Sequence, residues 1–268
     1  PSGLFNDAMA RTAERSGEGS PSWEPPAGLP DVYIAMGQTA ENVVQYKNVS
    51  RERMDEFAAN SQQRAVAAQE RGFFEREITP ITLPDGTVVS KDDGPRAGTT
   101  KEKLAELKPV FRPDGQVTAG NACPLNDGAA ALVIMSDTKA AELGITPLAR
   151  IIATGVSGLN PEIMGLGPIE AVKQALGRAK MTIDDIDLVE INEAFAAQVI
   201  PSADELGIDF DKLNVNGGAI ALGHPFGMTG ARITATLING LEDAGKSIGL
   251  ETMCVGGGQG MAMIIEKL

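Results

Sequence analysis

From Gly128 to the C-terminus, short apolar runs of strand length alternate with amphipathic runs of helix length. Few layouts accommodate that alternation. Strands written as nearly continuous apolar runs need cover on both faces, and the intervening helices are the available cover. Strands are expected at residues 128–135, 149–156, 186–191 and 214–216, then in tandem at 247–254 and 259–266 around a glycine turn. Helices are expected at 137–144, 168–180, 194–206 and 228–244. The fold class is therefore α/β, a layered sheet covered by helices. The last two strands should form an antiparallel pair at the end of a mixed sheet.

The first half is less regular. Residues 1–30 are rich in Pro, Gly and Ser and read as a surface excursion or clamp. A helix is expected over 36–47. A longer one should start after Ser50, bury Met54, Phe57, Ala58, Ala65 and Ala68 on one face, and stop at Gly72. Residues 78–81 and 87–90 flank Pro84-Asp85-Gly86 as a hairpin. A capped helix is expected from Thr99 to Leu104. Small residues fill Thr118 to Cys123, leaving room for a neighbouring strand or a slender ligand arm.

Composition narrows the function classes. With 268 residues and 43% hydrophobic content, the chain can bury a sizeable core. Its formal net charge of −13 argues against nucleic acid or an anionic membrane as a general partner. A phosphorylated ligand stays open, since one arginine or helix terminus can hold phosphate inside an acidic protein. No apolar run is long enough to cross a bilayer. Two distant cysteines, Cys123 and Cys254, form no disulfide framework, so a reducing, cytosolic setting is expected. No signal peptide is visible, and a first residue that is Pro1 rather than Met suggests a piece of a longer protein.

His224 is the single histidine, set in a glycine-crowded stretch from Asn214 to Gly230. An isolated histidine is more often a satisfied core residue than a catalyst. Here it stands with Asn192-Glu193-Ala194-Phe195, Cys254-Val255-Gly256-Gly257-Gly258 and Gly165-Leu166-Gly167-Pro168, all at predicted strand ends, where α/β sheets gather ligands. An amide, an imidazole and a thiol make an acyl-transfer set. The thiol serves as base or nucleophile once a neighbour lowers its pKa, and the other two donate to a developing oxyanion. The glycine spacing matches neither a dinucleotide fingerprint nor a phosphate loop. His224 with Cys254 lacks a third ligand, so no metal is expected. Asp184, Asp185 and Asp187 read as a solvated turn leading to Glu190.

Three of those blocks, Asn192 to Phe195, Asn216 to Pro225 and Cys254 to Gly258, resemble the signature blocks of the thiolase family, the acetyl-CoA C-acyltransferases. Met36-Gly37-Gln38-Thr39-Ala40-Glu41-Asn42, Gly94-Pro95-Arg96, Thr118-Ala119-Gly120-Asn121 and Asn126-Asp127-Gly128-Ala129-Ala130 extend the resemblance from Met36 to the C-terminus. It implies an α/β/α/β/α layered fold divided into a loop domain over the coenzyme A site (1–125), a remnant of the N-terminal core half (126–146) and a C-terminal domain (147–268). It also implies a cytoplasmic homo-oligomer of lipid or fatty-acid metabolism, including β-oxidation, that binds no nucleic acid or membrane.

The reaction implied is thiolysis of a 3-ketoacyl-CoA by coenzyme A, or the reverse Claisen condensation, with acyl-CoA as substrate and no permanently bound cofactor. His224 would activate a nucleophilic cysteine and form an oxyanion hole with a water held by Asn192. Cys254 would exchange a proton with the α-carbon, the N–H of Gly256 would serve a second oxyanion hole, and Glu193 would orient its neighbours. By the same resemblance Arg96 would approach the nucleotide, and Phe111, Ala119, Met164 and Phe195 would line the pantetheine tunnel; simple core packing or a surface ion pair is the alternative for each. Cys123 would be a packing or coenzyme A-loop residue. The sequence departs from the family in two places. The nucleophilic cysteine belongs to an N-terminal region that this chain lacks, and Ala35 stands where a histidine is frequent. A non-catalytic acyl-CoA-binding module is the rival reading, and a ketoacyl synthase relative fits the histidine pattern less well.

Overall fold

The computed structural model describes residues 28–268, so nearly all of the expected N-terminal clamp lies outside the described residues. Helix α1 (Met36–Lys47) matches its expected span, and α2 (Arg51–Glu70) begins at Ser50, whose hydroxyl accepts from the Arg53 N–H at 3.3 Å. A short hairpin, β1 (Ile81–Thr82) and β2 (Val88–Val89), and the helix α3 (Lys101–Ala105) capped by Thr100 follow. After α4 (Asp137–Leu143) come β3 (Ala149–Gly158), α5 (Gly167–Ala179), β4 (Leu188–Ile191) and α6 (Ala196–Leu206). The chain ends with the short α7 (Ala219–Leu222), α8 (Thr229–Ala244), β5 (Ile248–Val255) and β6 (Gln259–Lys267).

The sheet order is β3-β6-β5-β4, with β4 parallel to β5 and the other pairs antiparallel. The expected antiparallel closing pair is therefore present. Strand alternation sends Val189, Ile191, Leu250 and Ile264 to one face, against Ala171, Val172 and Ala175 of α5 and Val199 and Ala203 of α6. Leu188 and Ile265 point the other way, onto Leu237 and Leu241 of α8. Each fully buried Leu or Ile here contributes about 1.5–3 kcal/mol relative to exposure. Helix α6 is buried along residues 196–203 because its other face meets Ala40, Val44, Met54 and Ala58 of α1 and α2; only its last turn, with Asp204 and Glu205, reaches solvent. Covered on both sides, this helix ties the irregular half to the sheet. Under α5 the packing is backbone on backbone. A Cβ on Gly167 would lie 2.3 Å from the Gln259 carbonyl oxygen, so the helix sits flush on the hairpin.

Two expected strands differ. Residues 128–135 join no strand among the described residues, and Val133 and Ile134 are 85% and 74% exposed. An apolar run encodes a demand for burial, but a strand also needs a neighbour to complete its hydrogen bonds, and none lies alongside. Residues 214–216 shrink to a single parallel bridge between Leu213 and Val189, because Asn214 turns into the left-handed region (φ 46°). Its side-chain amide then takes the place of the lost ladder, donating to the Ile191 carbonyl and accepting from the Ile191 N–H, both at 2.9 Å. The hairpin expected from residue 78 is also shorter, beginning at Ile81.

Candidate active site

The parallel pair β4–β5 sets the geometry. Asn192 follows β4 directly and donates its backbone N–H to the Thr252 carbonyl at 3.0 Å, so it and Cys254 leave the sheet from neighbouring strands at the same end. Cys254 is buried, packed with Met164 and Ala194 and bordered by Met36 and Phe195. The small-residue loop is stitched to this spot: Cys123 N–H donates to the Ala194 carbonyl (3.0 Å) and Ala196 N–H to the Asn121 carbonyl (2.9 Å). Ala122 bridges to the Phe195 backbone, while Gly120 leaves room for the Leu104 and Leu107 side chains. Asn192 is wholly buried, yet neither its Oδ1 nor its Nδ2 has a hydrogen-bond partner among the described residues. Burying an amide without partners costs about 1–3 kcal/mol in proteins. Such a group marks a place for a polar ligand atom or water.

Glu193 joins the segments. Its carboxylate accepts from Ser61 Oγ (2.6 Å), Asn214 Nδ2 (2.8 Å) and the Ile220 N–H (3.1 Å), linking α2, the turn after β4's bridge and α7. Burial pushes its pKa up while those three donors pull it down. Past α7, Gly223 takes φ 90°, and the Asn126 amide occupies the space a Cβ would need, 2.2 Å from it. A side chain there is excluded twice. Asn126 Oδ1 accepts the His224 backbone N–H at 3.0 Å. The imidazole Nδ1 lies 2.6 Å from Thr229 Oγ1, and Phe226 stacks edge-on against the ring at 5.2 Å. Leu125, Asn126, Asp127, His224, Pro225 and Phe226 enclose an open recess of about 340 Å³. A Cβ on Gly230, in the first turn of α8, would lie 3.4 Å from Met253 Cε of β5.

Burial disfavours the charged forms of His224 and Cys254. Burial, then Arg232, lowers the His224 pKa. Burial pushes the Cys254 thiol up to about 12 and Cys123 to about 11. The expectation of a thiol pKa lowered by a neighbour is therefore corrected: burial dominates at Cys254, and no cation among the described residues lowers it. Arg232, on α8, faces Glu190 at 3.8 Å. Burial raises Glu190 to about 8 and Glu251 to about 7. Asp184 and Asp185 are exposed as expected, whereas Asp187 caps the start of β5 through the Ser247 and Ile248 N–H groups.

The remaining candidates divide. Met164 borders Cys254, and Phe111 packs edge-on against Phe195 at 6.1 Å, its ring filling the space over Gly37. Ala119 and Arg96 are exposed, and the Arg96 backbone N–H donates to Gln62 Oε1. Gly256 sits in the exposed β5–β6 turn, two residues beyond Cys254. Asn192 and Cys254 do not line the His224 recess. No cluster of three or more metal-ligating side chains occurs among the described residues.

Comparison with known proteins decides the family. Residues 145–267 match the family model of the thiolase C-terminal domain, and residues 22–138 match that of the thiolase N-terminal domain. The chain belongs to the thiolase family. It is 50% identical over 246 residues to a probable acetyl-CoA acyltransferase of Staphylococcus epidermidis, covering 90% of this chain and 62% of that protein. It is 47% identical over 276 residues to an acetyl-CoA acetyltransferase of Escherichia coli, covering 98% and 68%. Among solved structures it resembles the Bacillus anthracis acetyl-CoA acetyltransferase (51% identity, TM-score 0.86, 88% of this chain and 60% of that one). It also resembles human mitochondrial 3-ketoacyl-CoA thiolase in complex with CoA (45% identity, TM-score 0.83, 90% and 61%). The chain thus spans about three fifths of the length of most of these thiolases.

Thiolase motifs led directly to Asn192, Glu193, His224 and Cys254. Ser61, Asn126, Asn214, Thr229 and Arg232 were missed as participants. Asn126, Asn214 and Thr229 lie within or beside the quoted blocks; Asn126 meets the His224 N–H and Asn214 the Ile191 backbone across distant stretches of chain, whereas Thr229 meets the His224 ring five residues away. Ser61 had no signal at all, being one polar residue on a long helix.

Proposed function

We propose that this chain carries the acid–base half of an acyl-CoA C-acyltransferase active site, with the nucleophilic cysteine supplied by a partner segment of the thiolase N-terminal region. The observation that carries the reading is the wholly buried Asn192 amide, without a partner at either polar atom among the described residues, at the strand end it shares with Cys254. That arrangement suits a water or thioester carbonyl oxygen gaining negative charge. In thiolysis, His224 takes the proton of the incoming nucleophilic thiol, which adds to the 3-keto carbon. The C–C bond breaks, the electron pair moves onto the α-carbon of the departing acetyl-CoA, and Cys254 gives that carbon its proton. A thiol held neutral by burial is in the right form for that donation. Coenzyme A then takes the acyl group, its thiol proton passing to the Cys254 thiolate, while the C–S bond to the nucleophile breaks and His224 returns its proton to that sulfur. The second oxyanion hole is assigned to the Gly256 N–H.

Coenzyme A enters as a substrate, its pantetheine running past Met164, Phe195, Phe111, Ala119 and Cys123 toward Arg96. Residues 1–125, 126–146 and 147–268 serve as loop domain, core remnant and C-terminal domain. The exposed apolar run at 128–135 is the natural face for the nucleophile-bearing half, whose strands would complete its hydrogen bonds. The reading includes a cytoplasmic homo-oligomer in fatty-acid metabolism with no membrane or nucleic-acid partner; no helix of the described residues is long and apolar enough to cross a membrane.

Acetoacetyl-CoA thiolysis, measured with the chain alone and after adding the nucleophile-bearing half, tests this. Turnover is expected only in the mixture, and lost in His224→Ala and Cys254→Ala with coenzyme A binding retained. Turnover by the chain alone overturns the proposal, and coenzyme A binding with no turnover in the mixture favours an acyl-CoA-binding module.

A further inference from the structure

We infer that Thr229 fixes the tautomer of His224, keeping a proton on Nδ1 and leaving the Nε2 lone pair bare. Thr229 is wholly buried as the first residue of α8. Its hydroxyl oxygen lies 2.6 Å from His224 Nδ1 and 3.0 Å from the Pro225 carbonyl oxygen. The hydroxyl has one proton to give. A carbonyl oxygen can only accept, whereas an imidazole nitrogen can be donor or acceptor. If the hydroxyl donated to Nδ1, its oxygen would sit 3.0 Å from the Pro225 carbonyl oxygen with no proton between them, a repulsive contact in a buried place. If Nδ1–H donates to Oγ1 and the hydroxyl donates onward to Pro225, both contacts are satisfied and each strengthens the other.

The anchor of that relay is rigid. The Pro225 carbonyl also accepts the Met228 and Thr229 backbone N–H groups at 3.0 and 3.1 Å, closing the first turn of α8. On the other side, the His224 backbone is tied to Asn126 and its ring is backed by Phe226. Nε2 has no hydrogen-bond partner among the described residues, while the ring as a whole borders the recess. Because an imidazolium also donates from Nδ1, the relay persists whether or not His224 is charged, so proton exchange is confined to Nε2. Thr229 is thus a positioning residue. This deepens the thiolase reading, which needs a base at Nε2, and rests on it only for its use; the tautomer itself is a property of this chain.

His224 is the single histidine, so the test is unambiguous. The full chain labelled with ¹⁵N-histidine gives one pair of ring nitrogens in a long-range ¹H–¹⁵N correlation spectrum above the imidazole pKa. The expected pattern is a protonated Nδ1 and an unprotonated Nε2. Thr229→Val, equal in shape without the hydroxyl, should lower the Nδ1–H to Nε2–H ratio by about 2- to 10-fold, the effect of one hydrogen bond. Thr229→Ser should restore it. A dominant Nε2–H form in the unmodified protein overturns the inference. So does an unchanged ratio in Thr229→Val with a native backbone amide spectrum. Should Thr229→Val fail to fold, the unmodified protein and Thr229→Ser still decide. An Nδ1–H imidazole in a chain that yields no turnover with the nucleophile-bearing half would sink the catalytic reading and leave the tautomer assignment standing.

Discussion

Ser61→Ala removes one oxygen from the centre of the Glu193 junction. The hydroxyl donates to a buried carboxylate at 2.6 Å and accepts the Gly218 N–H at 3.1 Å. A hydrogen bond to a charged group contributes about 1.5–3 kcal/mol, and an orphaned buried N–H costs about 1 kcal/mol or more. Exposure of Ser61 is only 3%, so water cannot easily replace either partner. The expected destabilisation is about 2–4 kcal/mol, which lowers the Tm by about 5–15 °C for a domain of this size. Urea unfolding followed by far-UV circular dichroism measures it, with Ser90→Ala on the exposed hairpin as the control, expected within about 0.5 kcal/mol. Combining Ser61→Ala with Glu193→Gln should cost less than the sum of the two, by about 1–3 kcal/mol, because they share one interaction. A Ser61→Ala shift no larger than the control's, or strict additivity, refutes the view that Glu193 holds the site together.

Two further outcomes follow from the buried ionisable groups. The native state keeps protons on Glu190 and Glu251 that the unfolded chain releases above its ordinary 4.5, so these groups make stability fall as pH rises from about 4.5 to about 8. His224, with a lowered pKa, pulls the opposite way below 6.5, so the informative quantity is the difference from Glu190→Gln. The urea midpoint of that variant, relative to the unmodified protein, should rise between about pH 5.5 and about pH 8; a constant difference sinks the idea. Both thiols, raised by burial, should react with iodoacetamide near neutral pH far more slowly than a free cysteine, Cys254 the slower of the two. Peptide mapping after timed alkylation reads this, and rapid labelling of Cys254 contradicts it.

Much of the fold was legible because it is written in local periodicity. Helix α1 and the capped start of α2 came from spacing and a serine alone, and the paired closing strands from two apolar runs about a glycine turn. The failures share one cause. Residues 128–135 carry the composition of a buried strand, but composition does not reveal whether a neighbouring strand is at hand. Asn214 looked like a strand residue and became a side chain imitating one. At the candidate site, the blocks gave Asn192, Glu193, His224 and Cys254, whereas the groups that hold them, Ser61 from α2 and Asn126 across the chain, act over separations that no local pattern encodes. The Cys254 pKa was likewise unreadable, since it depends on the apolar company of Met164 and Ala194.

The unpartnered Asn192 amide has a consequence for selectivity. A molecule that fills the site with a methylene or thioether, in place of a carbonyl, leaves that amide starved of both donor and acceptor. Sites built around an unmet polar group can reject such mimics by factors of about 10⁴–10⁵, far beyond what a missing methylene achieves in an oily pocket. On the proposed reading, in which the thioester carbonyl meets that amide, discrimination against saturated analogues would lie in one asparagine at the end of β4, independent of the length of the acyl chain.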